Sequence, residues 1–255
     1  MAGYNNATEA NLEHSESSIH KENLLSASAL WVFPTCYVIG SLPFGVLYGK
    51  LVKGVDIRQH GSGNIGASNV MRLFGVQAFV IVFALDALKG VAAILLCQRL
   101  FGPEHAWMVL LGGLLSVLGH TFSVFLKFTG GRGVATGLGL LVAVAPVAGL
   151  CTFLVWAVTL ALTRYISVAS IAGSISAPLW VVFIQPQTVP FPYRLMIAIA
   201  ATLLVIRHAP NMKRLIAGQE FKLGQKVELD SQVNRKLPER REPEAPEKAE
   251  SEGSV

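Results

Sequence analysis

Carboxylates are what the apolar body of this chain has least of. Between Leu24 and Gly218 there are three acids, Asp56, Asp86 and Glu104, against thirteen lysines and arginines, and the other thirteen acids lie in the two ends. That body holds no His-x-Glu pair, no Cys-x-x-Cys and no paired carboxylates, which sets aside a zinc site and two-carboxylate acid/base chemistry. No acid stands beside His120 or His208 to suggest a catalytic triad. Cysteine is also scarce. Cys36, Cys97 and Cys151 each sit inside an apolar run without metal-ligand spacing and read as small buried hydrophobes. No metal and no cofactor are expected, and nothing points to nucleic acid. The first 23 residues lack the basic start and small-residue cleavage pattern of a secretory signal.

What the chain has in excess is apolar length. It is 52% hydrophobic and 15% charged over 255 residues, with a mean hydropathy of +0.51, which is too apolar for a soluble domain of this size. Seven apolar segments run over 25–48, 76–98, 106–126, 133–146, 148–163, 166–184 and 193–207, predicting an all-α integral membrane protein with seven transmembrane helices. A single helix over 133–163 would rise about 46 Å, well beyond a hydrocarbon core of about 30 Å. Two short helices meeting near Pro146 fit better. The polar residues 1–23 read as a flexible extension and 219–255 as a disordered charged tail, leaving 24–218 as the membrane domain.

Loop charge then predicts the topology. Lys50, Lys53, Arg58 and Arg72 follow the first segment, Lys127 and Arg132 the third, and Arg164 the fifth. Arg207, Lys213, Arg214, Lys222 and Lys226 follow the last. The alternate turns hold only Arg99, nothing near Pro146, and Arg194. The positive-inside rule therefore starts the chain outside and ends it in the cytoplasm.

Every chemically rich stretch falls on that cytoplasmic side. Residues 61–72, Gly-Ser-Gly-Asn-Ile-Gly-Ala-Ser-Asn-Val-Met-Arg, combine glycine turns that suit phosphate with Ser62, Asn64, Ser68 and Asn69 as neutral hydrogen-bonding groups and Arg72 as a fork. Alone, the segment could be an ordinary glycine-rich loop; a dinucleotide fold would need a βαβ unit, which membrane-length flanks exclude. A second glycine hinge with Lys127 and Arg132 precedes the fourth segment and could seat another phosphate or simply anchor the helix. Residues 164–170 and 207–214 could each be routine interfacial flanks. Four such sites on one face suggest a shared anion site. Asp86 and Lys89, three apart inside the second segment, read mainly as a self-neutralising pair, with Lys89 as a candidate for the same anion pocket. His120, at the end of the third segment, reads as a structural histidine or as a base.

These motifs, in this order and spacing, resemble the bacterial acyl-phosphate:glycerol-3-phosphate acyltransferases, the PlsY family. The matching residues are 62–72, Gly119-His120, 128–136 (Phe-Thr-Gly-Gly-Arg-Gly-Val-Ala-Thr), 164–170 (Arg-Tyr-Ile-Ser-Val-Ala-Ser), and Arg207-His208 with Asn211. The resemblance covers roughly 26–220. It implies a multi-pass protein of the bacterial inner membrane with its site on the cytoplasmic face. The implied reaction transfers a fatty acyl group from acyl phosphate to the sn-1 hydroxyl of glycerol-3-phosphate, giving lysophosphatidic acid and phosphate. The chain would act in the bilayer as a monomer.

By the same resemblance, Ser62, Gly63, Asn64, Gly66, Asn69 and Arg72 hold the donor phosphate, and Ser167, His208 and Asn211 hold glycerol-3-phosphate. Lys89, Gly130, Gly131, Gly133, Thr136 and Ser170 complete the binding set. His120, Lys127 and Arg132 are the catalytic candidates. The family's usual Phe-Lys-Gly-Gly-Lys-Gly reads Phe-Thr-Gly-Gly-Arg-Gly at 128–133, so Thr129 has lost a cation. Lys127, two residues earlier, is expected to replace it, with both Lys127 and Arg132 used. Ser123, where proline is common, affects the local turn. The base is expected to be either His120 or an oxygen of a substrate phosphate. The chain has no His-x4-Asp pair, the signature of the larger glycerolipid acyltransferases. A transporter of an organic phosphate is the rival reading, and a CoA-dependent acyltransferase a third.

Overall fold

The computed structural model describes residues 27–102 and 104–225. The expectations for residues 1–23, and for the tail beyond 225, lie outside that range. Among the described residues every regular element is helical. In chain order they are α1 (Ala27–Ser41), α2 (Phe44–Lys53), α3 (Ala67–Phe74), α4 (Val76–Phe101), α5 (Ala106–Thr121), α6 (Val134–Val144), α7 (Pro146–Thr163), α8 (Ile166–Ile184), α9 (Phe191–Arg207) and α10 (Ala209–Ile216).

Four helices are long and apolar enough to cross a membrane unaided: α4, α5 with its following turn, α7 and α8. Two bent pairs raise this to six. The chain turns by 47° between α1 and α2, at Leu42 and Pro43, and by 43° between α9 and α10. Both bends sit beside prolines, Pro43 and Pro210, which cannot donate to a continuing helix. The expected break near Pro146 is present. Pro146 opens α7, where its missing N–H costs nothing, and α6 is left with 11 residues, about 17 Å of rise. That is short of a full span, so α6 reaches only part-way and is held by its neighbours.

Its chief neighbour is α4. The two backbones touch at small residues: a Cβ on Gly90 would stand 2.2 Å from the Thr136 carbonyl oxygen, and one on Gly139 2.0 Å from that of Ala87. Close backbone approach of this kind is how helices gain packing contacts where lipid is as apolar as the side chains. Thr136 adds a cross-link, its hydroxyl donating to the Asp86 carbonyl at 2.9 Å.

The larger buried cluster joins Val32 and Cys36 of α1, Ile94 and Cys97 of α4, Val109 and Val117 of α5, Leu140 of α6 and Met196 of α9. Outward positions are equally apolar, including Leu88, Leu95, Leu154, Leu162 and Phe183, as expected of helices facing lipid. A smaller cluster of Val46, Ile57, Ile65, Val70 and Val82 pins the chain between α2 and α4 to one end of the bundle. That pinned segment carries the first polar motif.

Candidate active site

The segment from Gly54 to Gly75 is built by its own polar side chains. Asp56 accepts the Arg58 backbone N–H and pairs with Arg58 and with Lys50 at 3.3 Å. These contacts, the Arg58 hydrogen bond first, hold its carboxyl well below the usual carboxylate range. Asn69 is fully buried and makes four hydrogen bonds, all inside the loop. Its Oδ1 accepts from the Ser62 backbone N–H (2.9 Å) and hydroxyl (3.2 Å), and its Nδ2 donates to the carbonyls of Ile57 (2.9 Å) and His60 (3.1 Å). Ser62 also accepts from Arg72 Nη1 at 3.1 Å. Asn64 Oδ1 caps the turn by accepting the Gly66 N–H at 2.9 Å. The loop so formed aims the start of α3 into a cleft, where the first-turn amides of Ala67 and Ser68 have no intrahelical acceptor.

That cleft lies where α3, α4, α5, α6 and α8 meet the last bend. Around it stand Asn64, Gly66, Ser68 and Arg72 from the first motif, and Asp86 and His120 from α4 and α5. Arg132 and Gly133 line it too, with Ser167 and Ser170 from α8 and His208 and Asn211 from the last bend. The four polar stretches of the sequence therefore do meet. Burial, with repulsion from Arg214 and partial relief from Glu220, pushes the Arg72 guanidinium below its ordinary pKa. Arg132 is pushed down to about 10 by burial first, then by Arg214 and its other cationic neighbours, against Glu220. Both stay charged at neutral pH, so the cleft holds a concentrated positive charge awaiting an anion.

A second, apolar groove opens off the first, between α6, α7, α8 and α9. Phe83, Val134, Trp156 and Ser170 line both. One site thus has a cationic head and an apolar extension into the bundle.

The sequence and the fold match solved and curated proteins. Residues 30–218 match the model of the family described as glycerol-3-phosphate acyltransferase. The chain belongs to the glycerol-3-phosphate acyltransferase family. Over 190 residues it is 46% identical to glycerol-3-phosphate acyltransferase 2 of Moorella thermoacetica, covering 74% of this chain and 95% of that one. Over 194 residues it is 43% identical to the Aquifex aeolicus glycerol-3-phosphate acyltransferase, covering 76% and 98%. Its structure is similar to a crystal structure of PlsY, an integral membrane glycerol 3-phosphate acyltransferase, in the glycerol 3-phosphate form. There the TM-score is 0.72 at 43% identity, over 77% of this chain and 96% of that one. The lysophosphatidic acid form gives 0.70 at 42% identity.

Within this acyltransferase fold several residues do other work than their motifs suggest. Asn69 and Thr136 build the loop and the α4–α6 contact and do not line the cleft. Ser62 and Gly63 stand behind it, Ser62 reaching it through Arg72. Lys89 is buried with all three ammonium hydrogens placed, on Asp86 Oδ1 (2.7 Å), the Leu42 carbonyl (2.9 Å) and His120 Nδ1 (3.1 Å). It is therefore an internal support and has no hydrogen left for a substrate. Lys127 is exposed in a left-handed turn outside the cleft, and the Thr129 hydroxyl turns back to the Leu126 carbonyl. The structure brings Arg132 to the cleft and leaves Lys127 outside it. Gly130 and Gly131 fold against α5: the Gly131 N–H donates to the His120 carbonyl, and a Cβ on Gly131 would stand 2.1 Å from His120 Nε2.

The first residues of the expected tail also pack on the site. Residues 219–225 cross beside it, with the buried Glu220 bonded to Asn211 (2.7 Å) and Arg214 (2.9 Å) and Phe221 stacked under Arg72, its centroid 4.7 Å from the guanidinium carbon. The Leu223 N–H donates to the Arg164 carbonyl at 2.6 Å. Neither Glu220 nor Arg214 stands among the site candidates drawn from the sequence. One signal for Glu220 existed: it is the first acid after Glu104.

Proposed function

We propose that the acyl donor is acyl phosphate and that the site performs a direct transfer without a protein base. The observation that carries this reading is the junction of cleft and groove at Phe83, Val134, Trp156 and Ser170. An acyl chain in the groove would bring its phosphate head under Arg72 and the Ala67 and Ser68 amides. Glycerol-3-phosphate would fill the rest of the cleft, its phosphate near Arg132 and its hydroxyl end towards His208 and Asn211.

In the reaction the sn-1 hydroxyl oxygen attacks the acyl carbonyl carbon. The carbonyl carbon–oxygen bond to phosphate breaks, and the hydroxyl proton passes to an oxygen of the departing phosphate. A mixed anhydride has a good leaving group, so positioning and charge stabilisation suffice. His120 supports this as a donor. Lys89 has only hydrogens to offer, so His120 Nδ1 accepts and the ring proton sits on Nε2. A ring in that tautomer donates to the site and does not take up a proton there.

The cationic loops favour a site at the cytoplasmic face of the inner membrane, with the chain beginning outside and ending inside across seven membrane segments, α6 being the partial one. A complete cleft within one chain favours a monomer. The test is purified protein in detergent given glycerol-3-phosphate with either acyl phosphate or acyl-CoA. Phosphate release and lysophosphatidic acid with acyl phosphate alone support the reading; equal turnover with acyl-CoA would overturn the donor assignment. A transporter would release no phosphate without a compartment.

A further inference from the structure

The apolar groove is lined by two glycines that helix packing does not require. Gly137 of α6 and Gly173 of α8 each lie one turn beyond a residue, Val134 or Ser170, that the groove shares with the cationic cleft. Gly139, in the same helix as Gly137, lacks a side chain for a plain structural reason: its Cβ would stand 2.0 Å from the Ala87 carbonyl oxygen. Nothing comparable holds for the two groove glycines. A Cβ on Gly137 would meet only the flexible end of Leu204, at 3.2 Å, and one on Gly173 would make ordinary contact with Trp156, at 3.5 Å, and Thr152. Glycine is a poor residue for a helix interior unless the space beside it is used. Here that space is the groove.

The groove ends a further turn inward, at Leu141 on α6, Ala177 on α8 and Met196 on α9. All three belong to the larger buried cluster, together with Val181 and Tyr193. Met196 is also held from α5, since the Cβ that Gly113 lacks would stand 2.6 Å from its sulfur. Leu141 and Ala177 each follow the junction residue of their helix by seven positions, about 10 Å of rise. Carbon–carbon bonds of about 1.5 Å, zigzagging along an extended alkyl chain, advance about 1.3 Å per methylene, so this depth takes about eight methylenes.

We infer that the groove is a ruler for the acyl chain: Gly137 and Gly173 keep its first turn open, Leu141, Ala177 and Met196 close it, and these five residues set which chain lengths the enzyme prefers. This rests on the reading above, in which the donor's chain lies in the groove with its phosphate in the cleft, and it names what that site selects. The occupant follows from continuity, because a groove without charge that opens into a cationic cleft fits an apolar chain carrying an anionic head. The wall serines do not spoil the fit. Ser170 and Ser174 donate their hydroxyl hydrogens to the carbonyls of Ile166 (2.8 Å) and Ser170 (2.7 Å), one turn back along α8. A chain of roughly ten carbons, counting the carbonyl, fills the space, and each methylene short of that leaves apolar wall uncovered.

The experiment sets decanoyl phosphate against butanoyl phosphate, with saturating glycerol-3-phosphate, in purified protein at one detergent concentration, with folding checked by thermal unfolding. The quantity read is the decanoyl-to-butanoyl ratio of kcat/KM in each variant relative to wild type, a comparison in which partition of the donors into micelles cancels. Gly137→Val and Gly173→Val each fill part of the passage and should lower that ratio at least tenfold, as expected when about three methylenes lose their place. A butanoyl chain ends about where the glycines begin, so kcat/KM for butanoyl phosphate should stay within about threefold of wild type. Gly137→Ala and Gly173→Ala displace no backbone, should lower the ratio about two- to fourfold, and keep the inference testable if a valine variant does not fold. Met196→Ala removes part of the floor and should raise the dodecanoyl-to-decanoyl ratio at least about twofold. An unchanged ratio in a folded glycine variant, a loss shared equally by both donors, or no rise in folded Met196→Ala overturns the inference while leaving the acyltransferase reading intact. Absence of transfer by the wild-type protein from any acyl phosphate would instead overturn that reading.

Discussion

Lys89 Nζ stands 3.1 Å from His120 Nδ1, with its other hydrogens on Asp86 and the Leu42 carbonyl. An imidazole held in this way is a donor through Nε2, and this separates two roles for His120 that are hard to tell apart otherwise. A donor role predicts that His120→Gln, which can still offer an N–H, keeps more activity than His120→Leu. It also predicts that the pH–rate profile of kcat/KM has the same near-neutral shape in wild type and His120→Gln. A near-neutral limb present in the wild type and lost in the variant would make His120 the base.

Gly131 tests the same geometry from the other side. Its added Cβ would lie 2.1 Å from His120 Nε2, so Gly131→Ala must displace a buried ring already fixed by Lys89. A loss of roughly 10- to 100-fold in kcat/KM is expected, equal to about 1.4–2.7 kcal/mol. Placing Gly131→Ala in a His120→Ala background removes the clash, and the second loss should nearly vanish. Additive effects in that double-mutant cycle would mean that the alanine harms the turn itself.

Arg72 connects the first motif to the cleft, through Ser62 behind it and Phe221 beneath it. Arg72→Ala removes a charge-assisted contact to a desolvated phosphate and should cost about 2–5 kcal/mol, roughly 30-fold to several-thousand-fold in kcat/KM. A loss under about threefold in well-folded protein would remove Arg72 from the donor site.

Periodicity and loop charge are local properties, so the apolar segments, the break at Pro146 and the gathering of four polar motifs can all be read from the sequence. A side chain's partner is not local, and the exceptions share that cause. Asn69 belongs to a phosphate motif by position, yet its hydrogen bonds go to Ile57, His60 and Ser62, which only the folded loop places around it. Lys89 pairs with Asp86 as its i,i+3 spacing suggests, but its other contacts come from Leu42 and His120, 47 and 31 residues away. Glu220 is hidden by composition. A single acid among Lys, Gln and Gly resembles the start of a charged tail, and only the fold closes Asn211 and Arg214 on it.

The contacts of residues 219–225 predict a sharp boundary for truncation. Ending the chain after Gly218 removes Glu220 and Phe221 and leaves Arg72, Arg132 and Arg214 to repel one another in a buried setting. Activity should fall at least tenfold and the unfolding temperature should drop, with inorganic phosphate restoring part of the stability by binding the folded state. A chain ending after Gln225 keeps the described contacts and should match the full chain. Equal activity for the two truncations would show that these contacts are ornamental.

The last prediction concerns Lys127 and Arg132, the cations around the turn where this chain departs from its family's usual sequence. Lys127 is exposed in a left-handed turn outside the cleft. Arg132 is within the cleft wall, and burial together with Arg214, Arg72 and Arg207 pushes its pKa down to about 10. A cation held there against desolvation and repulsion gives most to an incoming phosphate, whereas an exposed lysine is well solvated already. Lys127→Ala should therefore stay within about twofold of wild type in kcat/KM, an effect of no more than about 0.4 kcal/mol. Arg132→Ala should lose at least 100-fold, and Arg132→Lys should recover part of that loss, since a point charge replaces a fork. The double change Lys127→Thr with Thr129→Lys should bring no gain, because the Thr129 side chain is also exposed and turned to the Leu126 carbonyl. A strong loss in Lys127→Ala, rescued by that double change, would mean that the turn closes on bound substrate and carries Lys127 into the cleft.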